Sequence, residues 1–188
     1  MNTMSSLFFL LPFAVVFLTF QPHLTVAHQT NGTSSLITEV CQNSTHKEFC
    51  ISILQSSPRS QTADLKGLLF IALKVAAKNA SDTSAYIKQN LNDKGLNPAA
   101  DQSLTDCDVN YADAVDQIDD AVVALSVDAY PDINKWVKAA ITDVDSCEAQ
   151  VQGVSGNAME VSHSNHTLRL ILNIALARLN HISIKSTD

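Results

Sequence analysis

The stretch LTDCDVNYADAVDQIDDAV, Leu104–Val122, decides the fold class of this chain. Its apolar residues Tyr111, Ala114, Val115, Ile118, Ala121 and Val122, continued by Leu125, follow the i, i+3, i+4, i+7 template of one face of an α-helix. The period-two alternation of a half-buried strand is absent. Six aspartates share the stretch, although aspartate is worse than alanine inside a helix by roughly 0.5 to 0.7 kcal/mol. Asp106, Asp113, Asp116 and Asp120 recur at +7, +3 and +4, so they form a stripe opposite the apolar face, with Asp119 beside it. Such a stripe is either a solvated face or a docking surface for a cationic partner. In the second case electrostatic complementarity speeds and orients association more than it deepens affinity.

The same spacing extends to both sides. Upstream, a helix capped near Thr62, with Asp64 in its first turn, carries Leu65, Leu68, Leu69, Ala72, Val75 and Ala76 and ends around Asp93, where Lys94 to Pro98 supply the break. Downstream, Pro131 suits the first position of another helix, whose stripe is Ile133, Trp136, Val137, Ala140, Ile141, Val144, Cys147 and Val151. Gly153 to Asn157 interrupt the pattern, and a last helix is expected from about His163–Asn165 to Ile184. Before all of these, Ser34–His46 and Lys47–Ser57 read as two short helices, ended by Pro58. Four long amphipathic helices with short connections predict an all-α, up-down-up-down four-helix bundle over residues 60–185, preceded by an α-hairpin over 34–57. The inward alanines predict close helix approach, which leaves little room for the apolar cavity of a small-ligand carrier.

The chain opens with an apolar run, Leu7–Phe20, too short to span a bilayer and followed by the small-residue site Thr25-Val26-Ala27. Residues 1–27 are therefore expected to be a secretory signal peptide, and 28–188 the working protein. Four cysteines, Cys41, Cys50, Cys107 and Cys147, suit an oxidising compartment and two disulfides, for which three connectivities are open. Cys41 and Cys50 can staple the first hairpin. Cys107, read as lying at the start of its helix, and Cys147, near the end of the next, meet if that pair is antiparallel. Sequons at Asn31, Asn43 and Asn165 are expected to carry glycans, whereas the one at Asn79 continues an apolar stripe. A net charge of −7 argues against nucleic acid and against an anionic membrane surface.

Patterns for catalysis and metal binding fail on their details. Asp106, Asp108 and Asn110 fit the start of a calcium loop, but Tyr111 stands where glycine is needed and Gln117 where glutamate is needed. Gly153-Val154-Ser155-Gly156 is not a nucleophile elbow, since no strand precedes it. His163, His166 and His181 lack zinc spacing, and a pair of glycosidase carboxylates needs a cleft that a closed bundle does not offer. We expect no catalytic residue, no cofactor and no metal.

The C-x8-C hairpin of Cys41 and Cys50, the stretch Ser60 to Leu68, Cys107 followed by Asn110-Tyr111-Ala112-Asp113-Ala114, and Asp143-Val144-Asp145-Ser146-Cys147-Glu148 together resemble the plant invertase and pectin methylesterase inhibitor family. The resemblance covers essentially all of 28–188. It implies disulfides Cys41–Cys50 and Cys107–Cys147, and a secreted, apoplastic protein that blocks another enzyme in a one-to-one complex. In the pectin methylesterase branch, acidic and hydroxyl side chains on the second and third bundle helices cover the esterase cleft. By position these are Asp113, Asp116 and Ser146 here, while two further acidic positions hold Val109 and Ala149. In the acid invertase branch a Pro-Lys-Phe segment enters the active site. The matching Tyr130-Pro131-Asp132-Ile133 keeps only the proline, and aspartate in place of lysine reverses the charge offered. The resemblance therefore leans to the esterase, with vacuolar residence a possibility only for an invertase target.

Overall fold

The computed structural model describes residues 30–185, with side chains from 36 to 182. The expected signal peptide, residues 1–27, and the Asn31 side chain lie outside the described residues. Every regular element described is helical: α1 Thr30–Cys41, α2 Lys47–Gln55, a 3-10 turn Pro58–Thr62, α3 Leu65–Leu91, α4 Pro98–Ser126, α5 Tyr130–Val151 and α6 Asn157–Lys185. Helices α3 to α6 form the bundle, each packed on its neighbours around a ring, with α4 and α6 touching only slightly across the diagonal. The hairpin of α1 and α2, with the 3-10 turn, leans on α3, and α2 also reaches α6.

The apolar stripes meet at the centre. Leu68, Leu69, Leu73, Ile87, Leu104, Ile118, Ile133, Leu168 and Leu172 are fully buried, each worth about 1.5 to 3 kcal/mol of transfer free energy. Ala72, Ala76, Ala114, Ala121, Ala140 and Ala175 are also fully buried between them. With only a methyl group at these points, neighbouring helices can approach closely. Disulfides join Cys41 to Cys50 and Cys107 to Cys147, with Cα separations of 5.7 and 4.6 Å. The second spans 40 residues, a loop whose closure contributes about 4 kcal/mol on the chain-entropy account.

Several expected boundaries move, each for a local reason. The cap of α3 is Asp64, whose carboxylate accepts from the Gly67 N–H at 2.7 Å, and not Thr62, which the 3-10 turn after Pro58 absorbs. α3 stops at Leu91, two residues before the expected end. Asn97 caps α4 by accepting from the Ala100 N–H, so Cys107 sits in the third turn rather than at the start. Pro131 is the second residue of α5, after Tyr130. The largest difference is in α6, which begins at Asn157, where the sequence points to His163–Asn165. Ala158 and Val161 are fully buried and continue the inward stripe, but a polar Asn165 stands in the next core position and hides the periodicity. Gly153 and Gly156 take positive φ, 80° and 79°, which turns the chain before α6.

The turn from α4 to α5 is tighter. Only Val127, Asp128 and Ala129 connect the helices, and Asp128 adopts φ 57°. Its carboxylate meets the Lys66 ammonium at 2.6 Å and accepts from the Tyr130 hydroxyl at 2.9 Å. The mutual hydrogen bond holds Asp128 below its ordinary value and Lys66 above its own. The Lys66 and Asp128 side chains are 41 and 56 % exposed, so their role is to orient the turn more than to stabilise the fold.

Candidate functional site

The acidic residues of the opening stretch divide once they are placed on α4. Asp113, Asp116, Asp119 and Asp120 are exposed, and among the described residues none of them forms an ion pair. Asp108 turns toward α3, 4.0 Å from Lys88, and Asp106 is half-buried and accepts from the Gln102 amide at 3.0 Å. Asp113 lies on the side that faces α5, close enough for its charge to bear on Asp143. Val109 and Val123, 63 and 64 % exposed, lie on the same outer face. The site is therefore a mixed surface, carboxylates set among exposed valines. Val123 was missed in sequence because it adjoins Val122, a half-buried residue of the inward stripe, and an exposed valine breaks no periodic pattern.

On α5 the matching residues are Asp143 and Ser146, one turn apart. The Ser146 hydroxyl is half-buried and donates to the Thr142 carbonyl of its own helix at 2.8 Å. Its proton is thus engaged, and it offers a partner lone pairs to accept into. Asp143 is half-buried with Oδ2 unpartnered. Burial raises its carboxyl above the ordinary range, a hydrogen bond with Gln117 opposes the shift, and the Asp113 charge adds to it. A carboxyl that holds its proton more tightly folded than unfolded contributes stability at low pH and loses it as pH rises through the folded value. Asp143→Asn should therefore melt higher than the parent at neutral pH and about equally in strong acid, which a pH series of melting temperatures checks.

Glu148, the last residue of the Asp143 to Glu148 motif, is turned inward. Its carboxylate accepts from the Ser162 hydroxyl at 2.7 Å and from the Asn165 amide at 2.9 Å. Asn165 in turn accepts from the Tyr111 hydroxyl at 2.7 Å. Tyr111 is fully buried, and burial pushes its phenol above the ordinary value while Thr83 of α3 bonds to it. A polar chain thus crosses the bundle from α3 through α4 and α6 to α5, beside the Cys107–Cys147 disulfide and directly behind the acidic face.

This placement corrects one expected modification. Asn165 is 1 % exposed and its amide nitrogen is engaged with Glu148, so in the folded protein it cannot bear a glycan. Asn43, in the exposed turn between α1 and α2, remains available. Glycopeptide mapping of protein expressed through a secretory pathway should find sugar on Asn43 and bare Asn165.

The sequence model for the family described as plant invertase/pectin methylesterase inhibitor matches residues 35–178. The chain belongs to this inhibitor family. Among relatives within the plant invertase/pectin methylesterase inhibitor family, it is 33 % identical over 180 residues to the cell wall / vacuolar inhibitor of fructosidase 2 of Arabidopsis thaliana, covering 95 % of this chain and 98 % of the relative. It is 28 % identical to the pectinesterase inhibitor of Actinidia deliciosa, covering 94 and 93 %. In fold it is similar to the crystal structure of a mutant form of a pectin methylesterase inhibitor from Arabidopsis, with a TM-score of 0.67 at 22 % identity over 77 % of this chain and 95 % of that one. The named members are proteinaceous inhibitors, not catalysts. Among the described residues no group of three histidines, cysteines or carboxylates is placed to hold a metal, and no helix is long and apolar enough to cross a membrane.

Proposed function

We propose that this protein is a secreted inhibitor of pectin methylesterase, working in the cell wall by laying the outer face of α4 and the adjoining edge of α5 over the esterase's substrate cleft in a one-to-one complex. The observation that carries the reading is the unpaired state of Asp113 and Asp116: two exposed carboxylates, free of internal salt bridges, held on a helix whose other side is locked in the core. Acids that no internal cation neutralises keep their field for a partner. Ser146 on α5 supplies an acceptor beside them, and Val109 and Val123 supply apolar area that a partner can bury.

Acid invertase is the second reading, carried by the full-length relationship to the fructosidase inhibitor of Arabidopsis. Against it stands the first turn of α5. The positions that would present lysine and phenylalanine hold Asp132 and Ile133, and Ile133 is fully buried. A buried side chain cannot enter another protein's pocket without opening the core. The deciding experiment titrates the disulfide-intact protein against a pectin methylesterase and an acid invertase side by side, over about pH 4.5 to 7. Stoichiometric inhibition of the esterase alone supports the first reading, and inhibition of the invertase alone overturns it.

The carrier reading finds little support in the shape of the molecule. A groove of about 670 Å³ runs beside α2 and the 3-10 turn, lined by Ile53, Phe70, Ile71, Val75 and Ile171, but it lies outside the bundle and opens broadly to solvent. A carrier site encloses most of its ligand.

A further inference from the structure

We propose that the pocket between the N-terminal hairpin and α6 is a binding site for a small oxyanion, a carboxylate or a phosphate, with Arg178 as its principal ligand. The pocket has a volume of about 490 Å³ and is lined by Asn43, His46, Phe49, Asn173, Arg178 and His181 among others. Among the described residues no acidic side chain lines it.

Arg178 is the anomaly that demands an occupant. It is 3 % exposed, yet Nε and Nη1 are buried with no hydrogen-bond partner, and among the described residues it forms no ion pair. A buried guanidinium is ordinarily held by carboxylates or carbonyls, because leaving its N–H groups unsatisfied forfeits their hydration without return. Burial alone pushes its pKa down to about 10, so it stays charged at any physiological pH. The charge sits on a wall of a hollow to which the described residues contribute no counter-ion.

The rest of the pocket has matching polarity. The His46 and His181 side chains are exposed, and the His46 ring is braced edge-on against His166 with centroids 6.4 Å apart. His46 is also the N-cap of α2, and its side chain does not cap the helix, so first-turn N–H groups beside the pocket lack a side-chain acceptor. Asn173 adds an amide donor. Guanidinium on the wall, imidazoles, hydroxyls and amides able to donate around it, and a helix N-terminus alongside make a donor-rich environment with one fixed positive charge, which favours an anion rich in acceptors. Uncharged small molecules would leave the guanidinium unanswered.

The test uses calorimetry and thermal shift with two probes, D-galacturonate and inorganic phosphate, on an Asn43→Gln background that keeps the pocket free of a glycan. The parent should bind at least one probe and melt higher in its presence. Binding of galacturonate alone identifies a carboxylate site, and binding of phosphate alone a phosphate site. Arg178→Met should weaken binding about tenfold or more, yet melt no lower than the parent without probe, since an apolar side chain removes an uncompensated charge. Should that variant fail to fold, His46→Ala with His181→Ala, both at exposed positions, should fold normally and bind severalfold more weakly. Failure of both probes to bind the parent, or binding undiminished in the variants, overturns the proposal.

Discussion

Asp113→Lys combined with Asp116→Lys is expected to weaken inhibition of the target enzyme by well over an order of magnitude while leaving the melting temperature nearly unchanged. The two halves of this expectation have separate grounds. Both carboxylates are exposed and form no internal ion pair, so the fold does not lean on them. At an interface, coupling energies for close charge pairs run from about 1.5 to 7 kcal/mol, and 1.4 kcal/mol is a factor of ten. Reversal replaces attraction by repulsion at two neighbouring points, so even the low end of that range exceeds tenfold. Inhibition titrations at two salt concentrations make the comparison. Equal potency of parent and double variant would remove α4 from the docking surface.

Asn165→Leu is expected to destabilise the protein by about 3 to 5 kcal/mol, with a fall in melting temperature of roughly 10 °C. The volume is nearly conserved, so the loss comes from unpaired neighbours and not from a cavity. Two buried or half-buried groups each lose a partner at once: the Tyr111 hydroxyl, which donates to the Asn165 carbonyl oxygen, and the Glu148 carboxylate, which accepts from its amide. Glu148 keeps only the Ser162 hydroxyl. Tyr111→Phe should cost less, about 1 to 2 kcal/mol, because it removes one donor and leaves the Asn165–Glu148 bond intact. Denaturant unfolding of both single variants and the double variant measures the coupling. Additive effects would show that the chain of bonds does not act as a unit.

Much of the fold was legible because burial follows period: along α3, α4 and α5 the inward positions are mostly apolar, with only Thr83, Ser84 and Ser103 as buried polar exceptions, and stripe residues such as Leu68, Ala72, Ala114, Ile118, Val137 and Val144 are buried while Val75, Val115, Trp136 and Ile141 flank the core half-buried. The start of α6 was not legible, since Asn165 occupies an inward position and a polar residue there reads as a helix edge. The cap of α3 went to Asp64 over Thr62 because Pro58 had already drawn the intervening residues into a 3-10 turn. For the site, spacing placed Asp113 and Asp116 on the outer face of α4, but it could not distinguish them from Asp106, Asp108 and Glu148. Those three are engaged by Gln102, Lys88 and Asn165, residues four positions away on the same helix or on other helices, and such pairings depend on side-chain reach and helix register. Arg178 was invisible for the same reason: its burial depends on the hairpin that lies across it.

The α4–α5 pair is clamped at both extremities, by the Cys107–Cys147 bond toward one and by the three-residue turn, with Asp128 tethered to Lys66, at the other. A surface carried on such a frame reaches its target already in its final shape. Association then loses little backbone entropy, and most of the contact free energy survives as affinity. Selection between targets can proceed by exchanging single outward side chains, because none of those exchanges has to reorganise the frame beneath.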